Sequence, residues 1–434
     1  MKPFQFPKSF LMGSATSATQ IEGGDQNNSW FRWCRESGHI RDGSSCIRAD
    51  DHWNRYQEDI LLMKELHPDI YRMGIEWSRI EPEQGQFDQA AIGHYRDEIS
   101  LLLQNNIKPL VTLHHFTNPL WFEDSGGWES PDAAGAFTRF TVFVVNELGD
   151  LVNEWVTINE PNVFLINGYE RGIWPPGKKN IFAMLRAFRN IILAHVQSYR
   201  EIHKIRAERN FPGKTLVGAA YHLRIFDPLR DKLRNAIPAR LIRYLSQDLF
   251  LEGMGYGKFS FPLGLGNYPL GKGKYYDFLG INYYTRDIVQ LALEPANMFG
   301  RLTVKKDAPC NDLGWEIYPE GLYRLCKMVY QKYQAPIFIT ENGICDADDW
   351  QRAKFIYDHL QQVSLLHQEG IPVERYYHWS LIDNFEWAEG ESGRFGLVAN
   401  DFETQQRTIR KSGRFYGEIC LKKAVTEELI EKYL

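Results

Sequence analysis

Along this chain, short runs dense in apolar, β-branched and aromatic residues alternate with longer stretches whose apolar positions recur at helical spacing. The runs Phe10–Thr16, Ile70–Trp77, Pro109–Phe116, Trp155–Ile158, Leu216–Tyr221, Phe278–Tyr284, Ile337–Thr340 and Tyr376–Ser380 read as strands. Between them, Arg55–Leu66, Ala91–Asn105, Ala134–Leu148, Ile181–Glu208 and Trp350–Glu369 read as helices. An open, doubly wound sheet would give the same alternation. Eight strand–helix units running from end to end instead favour a closed (β/α)8 barrel. No Pro/Gly/Ser-rich linker divides the chain and no repeat of fixed period appears. The expectation is therefore an α/β protein with one (β/α)8 barrel over residues 1–434, carrying elaborated βα-loops. The glycine-rich stretch Gly253–Gly273 matches neither GxGxxG opening a helix nor GxxxxGK[ST], so it reads as a long surface loop.

Composition narrows the partners. By size alone, 434 residues could hold two or three domains, but a barrel with loop insertions also reaches this length. A net charge of −5, from 50 basic and 55 acidic residues, gives no electrostatic drive toward nucleic acid or an anionic membrane. The basic cluster Arg230, Lys232, Arg234 and Arg240 reads as a solvated helix face. No run approaches the ~18 apolar residues of a membrane span. The opening Met1–Pro7 lacks the apolar core of a signal peptide. Six cysteines show neither a CxxC pair nor a framework spacing, as expected for thiols in a reducing, cytoplasmic compartment. Twelve Trp and 22 Tyr exceed what core packing needs, and flat aromatic faces suit the C–H faces of pyranose rings.

Barrel enzymes place reactive groups where strands end and βα-loops begin. The fourth run ends Thr157-Ile158-Asn159-Glu160-Pro161 and the seventh ends Thr340-Glu341-Asn342-Gly343. Taken singly, each glutamate fits a helix N-cap or a rim salt bridge. Together, on strands three apart in a ring of eight, they face one another across the mouth. Splitting a glycosidic bond needs two such carboxyls, ~5–5.5 Å apart when the enzyme retains configuration. The third run ends His114-His115, whose side chains point to opposite faces, so the pair cannot share a metal. One of them is expected in the pocket and the other packed outside. No HExxH or related ligand spacing occurs, so no metal and no cofactor is expected. Arg72, on the second run, suits holding a carboxylate ionised, or equally a structural ion pair. The stretch His378–Trp387 combines Trp379, Glu386 and Trp387, which fits either a core seam with a stray charge or a sugar platform.

These residues resemble glycoside hydrolase family 1 over nearly the whole chain. Thr157–Pro161 is similar to the family's T-x-N-E-P acid/base motif, and Ile339–Gly343 to its I-T-E-N-G nucleophile motif. Phe10–Gly23 and Trp379–Gly396 resemble its N-terminal stretch and its C-terminal W-S-L-x-D-N-F-E-W…R-F-G block. The resemblance implies a retaining β-glycosidase working by double displacement, with Glu160 as acid/base and Glu341 as nucleophile. It implies that Gln20, His115, Glu386 and Trp387 bond sugar hydroxyls over a floor formed by Trp379, and that Asn159 reaches the 2-hydroxyl. Arg72 and Tyr284 would orient Glu341 and keep it ionised, and Trp315 would stand on the aglycone side. The implied substrates are terminal β-D-glucosyl, or galactosyl and fucosyl, residues of β-linked disaccharides, oligosaccharides and aryl or alkyl β-glycosides.

Two departures stand out. The family's H-W-D-L-P appears here as His115-Phe116-Thr117-Asn118-Pro119, and the stretch after Gly343 is short, which suggests a more open acceptor site. One alternative is a 6-phospho-β-glycosidase. Such relatives carry serine where Glu386 stands, and lysine and tyrosine where Gly393 and Phe395 stand. A carboxylate at Glu386 would repel phosphate. A second alternative, a non-catalytic sugar-binding relative, would have lost one of the two glutamates; both are present.

Overall fold

The eight apolar runs become eight parallel strands that pair in sequence order and close on themselves. In the computed structural model, which describes residues 1–231, 233–294 and 298–434, they are β1 (Leu11–Ala15), β2 (Ile70–Gly74), β3 (Lys108–Thr112), β4 (Glu154–Asn159), β5 (Leu216–His222), β6 (Leu279–Tyr283), β7 (Ile337–Asn342) and β8 (Val373–Trp379). Strand β8 pairs back onto β1, which completes the barrel. Both faces of such a sheet are covered, which is why these strands read as continuous apolar runs rather than alternating ones.

Several runs overshoot their strands. The second stops at Gly74 and the third at Thr112, so His114 and His115 lie in the βα-loop beyond β3. The apolar signal continues because those loops roof the barrel with buried side chains such as Trp77 and Phe116.

The principal covering helices are α1 (His52–Glu65), α2 (Gln89–Gln104), α3 (Ala133–Leu148), α4 (Ile181–Glu208), α5 (Leu249–Tyr256), α6 (Glu320–Tyr333), α7 (Arg352–Gln368) and α8 (Lys411–Lys422). Their starts carry local signals. Asp88 caps α2 by accepting from the N–H groups of Ala90 and Ala91, and Asn180 caps α4 through Phe182 and Ala183. The stretch Gly253–Gly273 is not loop throughout: Gly253–Tyr256 finish α5. Apolar packing carries the helix through the glycines, and a Cβ on Gly253 would stand 2.6 Å from Ile192 Cδ1 on α4. Of the basic cluster, Arg230, Arg234 and Arg240 are exposed, and Lys232 lies outside the described residues. All six cysteines are free thiols. Among the described residues no helix is long and apolar enough to cross a membrane.

Inside the barrel, chemistry is layered along the axis. At the N-terminal end Glu154 pairs with Lys108 and Arg375. Above it lies an apolar plug of Ile70, Leu110, Val156, Phe278, Phe338 and Tyr377. Phe278 and Phe338 stack with ring centroids 4.0 Å apart. At the C-terminal end the inward positions turn polar, and that is where a site can open.

Truncating the plug should be costly and local. Phe338→Ala is expected to destabilise the fold by about 3–5 kcal/mol, read as a lowered midpoint of thermal unfolding. An unchanged midpoint would show that the stacked pair does not carry the plug.

Candidate active site

Two irregularities in the barrel aim its reactive groups. The pairing of β4 with β5 slips register between Val156 and Asn159, and that of β7 with β6 slips between Ile339 and Glu341. Strict alternation would not bring Asn159 and Glu341 inward after Val156 and Phe338. The slips re-aim them, as bulges beside active sites commonly do. Thr157 then faces outward to His195 on α4, at 2.7 Å. Asn342 also turns away from the cavity, donating to the Tyr283 carbonyl and accepting from the Tyr376 hydroxyl.

Glu160 follows β4 with left-handed backbone, φ 42° and ψ 56°, immediately before Pro161. That conformation costs a non-glycine residue roughly 1–2 kcal/mol. Its N–H donates to the Ala220 carbonyl at 2.8 Å and its carbonyl accepts from Phe164, which holds the turn in place. Glu160 does occupy the N-cap position of the short helix Pro161–Leu165, yet its side chain makes no capping bond. The carboxyl instead lines the cavity, with Oε1 accepting from Asn282 Nδ2 at 2.8 Å. His222 Nδ1 lies 3.3 Å from the same oxygen.

Glu341 is held at both oxygens. Arg72 Nη1 donates to Oε1 at 2.6 Å, and the Tyr284 hydroxyl donates to Oε2 at 2.6 Å. Arg72 is completely buried, and it also donates to Thr112 Oγ1, the Thr340 carbonyl and Asn159 Oδ1. Asn159 Oδ1 also accepts from Asn282, while Asn159 Nδ2 lies 2.9 Å from His115 Nε2. Burial, reinforced by Arg72, holds His115 far below the usual imidazole range, so it is neutral and accepts there. His114 points elsewhere, to Asn118 Oδ1 and the edge of Trp128. The two rings thus point apart, although both lie in the loop beyond β3 rather than on a strand.

The cavity measures about 1020 Å³ and is lined by His115, Glu160, Tyr284, Trp315, Glu341, Trp379, Glu386 and Trp387, among others. Three further expected residues stand behind the wall. Gln20 donates to Glu386 at 3.2 Å, and Arg72 and Asn159 support Glu341 and His115. The ring of His115 lies nearly parallel to Trp379 and Trp387, each 5.8 Å away. Trp315 meets Tyr284 edge-on at 5.8 Å and sits beside Phe395. Three contributors were not anticipated from sequence: Asn282, His222 and Thr340, which fixes Asn282 through a 2.6 Å bond to its Oδ1. His222 carried a usable signal, a polar residue closing the apolar run Leu216–Tyr221.

Burial dominates the electrostatics. It pushes the Glu341 carboxyl up to about 7; Arg72 and the Tyr284 hydroxyl pull downward, while the charge of Glu160 adds to the rise. The expectation that Arg72 would hold Glu341 low is therefore corrected: desolvation outweighs the ion pair. Burial also lifts Glu386 to about 8, helped by the charge of Glu341 and opposed by hydrogen bonds from Trp379 and Gln20. Glu341 and Glu386 share one cavity, and their mutual repulsion adds to burial in opposing charge on both at neutral pH.

Known proteins resemble this chain over nearly its whole length. A family model described as Glycosyl hydrolase family 1 matches residues 2–263 and 270–425. A Beta-glucosidase A from Acetivibrio thermocellus is 35% identical over 459 residues, covering 96% of this chain and 99% of the relative. A Beta-glucosidase A from Thermotoga maritima is 33% identical over 451 residues, covering 96% and 97%. The structure of a beta-glycosidase from Pyrococcus horikoshii superposes with a TM-score of 0.91 at 36% identity, covering 100% of this chain and 98% of that one.

Arg72→Met should leave Glu341 buried without its cation. The expected cost is about 3–5 kcal/mol of stability, measured by denaturant unfolding. The sign with pH is fixed by the raised Glu341 pKa: a carboxyl raised on folding opposes folding as pH climbs through its folded value. The deficit of the variant should therefore grow from mildly acidic to mildly alkaline pH. A deficit independent of pH would contradict the pairing.

Proposed function

This chain belongs to glycosyl hydrolase family 1 and is a β-glycosidase; on that premise we propose that Glu341 is its nucleophile and Glu160 its acid/base. One observation carries the assignment: the two carboxyls line one cavity but are held differently. Both oxygens of Glu341 are fixed by donors, whereas Glu160 is held through Oε1 alone. The first arrangement orients an attacking carboxylate. The second leaves an oxygen with which to give and take a proton.

In the first step Glu341 attacks the anomeric carbon while Glu160 protonates the departing oxygen, giving a covalent glycosyl-enzyme. In the second, Glu160 takes a proton from water, which attacks from the opposite side of the sugar and restores the β configuration. Trp379 supplies the floor, and His115, Glu386 and Trp387 present groups to the sugar hydroxyls, with Gln20 orienting Glu386. Asn159 Nδ2, now directed at His115, is the donor we assign to the 2-hydroxyl. Trp315 and Phe395 border the aglycone side. The substrates are terminal β-glucosides, with galactosides also accommodated because Glu386 accepts a 4-hydroxyl from either epimer. Six free thiols fit a reducing compartment, and we place the protein in the cytoplasm.

Unphosphorylated sugars are favoured on a modified ground. Glu386 is raised to about 8, so a standing negative charge is not what turns phosphate away. The groups that bond it, Gln20 and Trp379, bring no cation. A Cβ on Gly393 would stand 2.7 Å from Glu386 Cβ, so a lysine could not be introduced there without moving Glu386.

Following hydrolysis of 4-nitrophenyl β-glucoside by proton NMR should show β-glucose as the first product, before mutarotation. Initial α-glucose would refute double displacement. The 6-phosphate of the same substrate should react more slowly; a faster reaction would reverse the specificity. The pH profile of kcat/KM should be bell-shaped, because Glu341 must be ionised while Glu160 carries a proton. Its acidic limb should fall through about 7, where burial places Glu341. Activity that stayed flat down to the ordinary glutamate range, about 4.3, would contradict this.

A further inference from the structure

The two-step mechanism leaves His222 without a part, although its side chain lines the cavity beside Glu160. Its surroundings determine which ring nitrogen carries the hydrogen. Arg224 Nε donates to His222 Nε2 at 3.0 Å. A guanidinium has donors only and keeps its protons, so Nε2 must be the nitrogen with the lone pair. The hydrogen of the neutral ring therefore sits on Nδ1, which lies 3.3 Å from Glu160 Oε1. Arg224 is fixed in turn by Asp287, which accepts from Nη1 at 2.8 Å and is only 8% exposed. The His222 ring also lies nearly parallel to Tyr284, with centroids 5.8 Å apart, which limits its rotation.

Glu160 Oε1 thus accepts from Asn282 Nδ2, and the N–H side of the His222 ring stands 3.3 Å from the same oxygen. A carboxyl proton on that oxygen would be crowded by the Asn282 amide and would face the N–H of His222. Among the described residues, no protein donor or acceptor engages Oε2. We propose that His222, its tautomer set by Arg224 and Asp287, is a positioning residue that confines the transferable proton of Glu160 to Oε2. The idea rests on the acid/base reading of Glu160 given above. In the first step the O–H bond at Oε2 breaks and the proton passes to the leaving oxygen. That oxygen takes the electron pair of the breaking glycosidic bond, while Glu341 forms the new bond to the anomeric carbon. Oε1 keeps its bond from Asn282 and the nearby N–H dipole of His222 as the carboxyl becomes a carboxylate, so the charge that develops already faces fixed N–H groups.

The test compares two leaving groups in the intact enzyme. Departure of 2,4-dinitrophenolate needs no protonation, whereas 4-methoxyphenolate does. His222→Phe keeps an aromatic ring against Tyr284 but loses the donor. It should lower kcat/KM about tenfold on 4-methoxyphenyl β-glucoside and leave the dinitrophenyl substrate within about twofold. His222→Asn returns an N–H near the position of Nδ1 and should recover most of the loss. Arg224→Met keeps His222 but frees its tautomer, so it should show the same selective loss. It also carries the test if His222→Phe does not fold. Equal losses on both substrates would mean a merely structural role and overturn the proposal, as would no loss on either or an asparagine variant as impaired as the phenylalanine one. Glu160→Ala is the control for the underlying reading. If it shows no leaving-group selectivity, the acid assignment itself fails, and a selective Glu160→Ala with an unselective His222→Phe removes only the role of His222.

Discussion

A guanidinium buried at the centre of a barrel has to be satisfied by whatever surrounds it, and in this protein that demand organises the site. Desolvating an ion costs several kcal/mol, so Arg72 is tolerable only where carbonyl, hydroxyl and carboxylate oxygens converge on it. They come from Thr112 on β3, Asn159 on β4, and Thr340 and Glu341 on β7. One side chain on β2 therefore cross-ties the C-terminal ends of three other strands. Buried ion pairs seldom add net stability relative to well-packed apolar residues. What this one supplies is position: a carboxylate fixed at the wall of the cavity, where a misplacement of about 1 Å can cost ~10²-fold in rate.

The same end of the barrel holds the backbone's local conflicts. Two register slips and a left-handed glutamate before a proline occur within a few residues of the cavity. Below the cavity the inner face is an apolar plug, with the Glu154 ion pairs beneath it. Sequence-level regularity commonly breaks where function requires a side chain to point against the pattern. The contrast between the two carboxyls follows from these irregularities. Glu341 is still within β7 when the slip turns it inward to Arg72 and Tyr284. Glu160 lies one residue past β4, and its left-handed turn brings it to Asn282 and His222.

The barrel was legible in the sequence because a parallel strand buried on both faces leaves an uninterrupted apolar run, and all eight such runs are strands. Ile181–Glu208 coincides with α4 for a related reason: a 28-residue amphipathic stretch is too long to misread. Glu160 and Glu341 were legible as acidic residues placed where apolar runs end. Other features depend on neighbours distant in sequence and leave no local trace. The slips that aim Asn159 and Glu341 are of this kind, as is the tie of Asn282 to Asn159, Glu160 and Thr340, residues on two different strands and a loop. Burial could not be read either. The motif shows an arginine available to hold Glu341 ionised, but only the packed structure shows that desolvation outweighs it. The run Gly253–Gly273 misled in the opposite direction, since its composition predicts loop while tertiary packing completes α5.

The central claim is that two glutamates, held differently, stand on opposite sides of the anomeric carbon, and azide reads this directly. With Glu341→Gly and an activated β-glucoside, azide should occupy the vacated nucleophile position and give the α-glucosyl azide. With Glu160→Ala, azide should attack the accumulated glycosyl-enzyme from the other face and give the β-glucosyl azide. If the two variants gave the reverse stereochemistries, the assigned roles would be exchanged. If both kept near-normal rates without azide, neither glutamate would be catalytic.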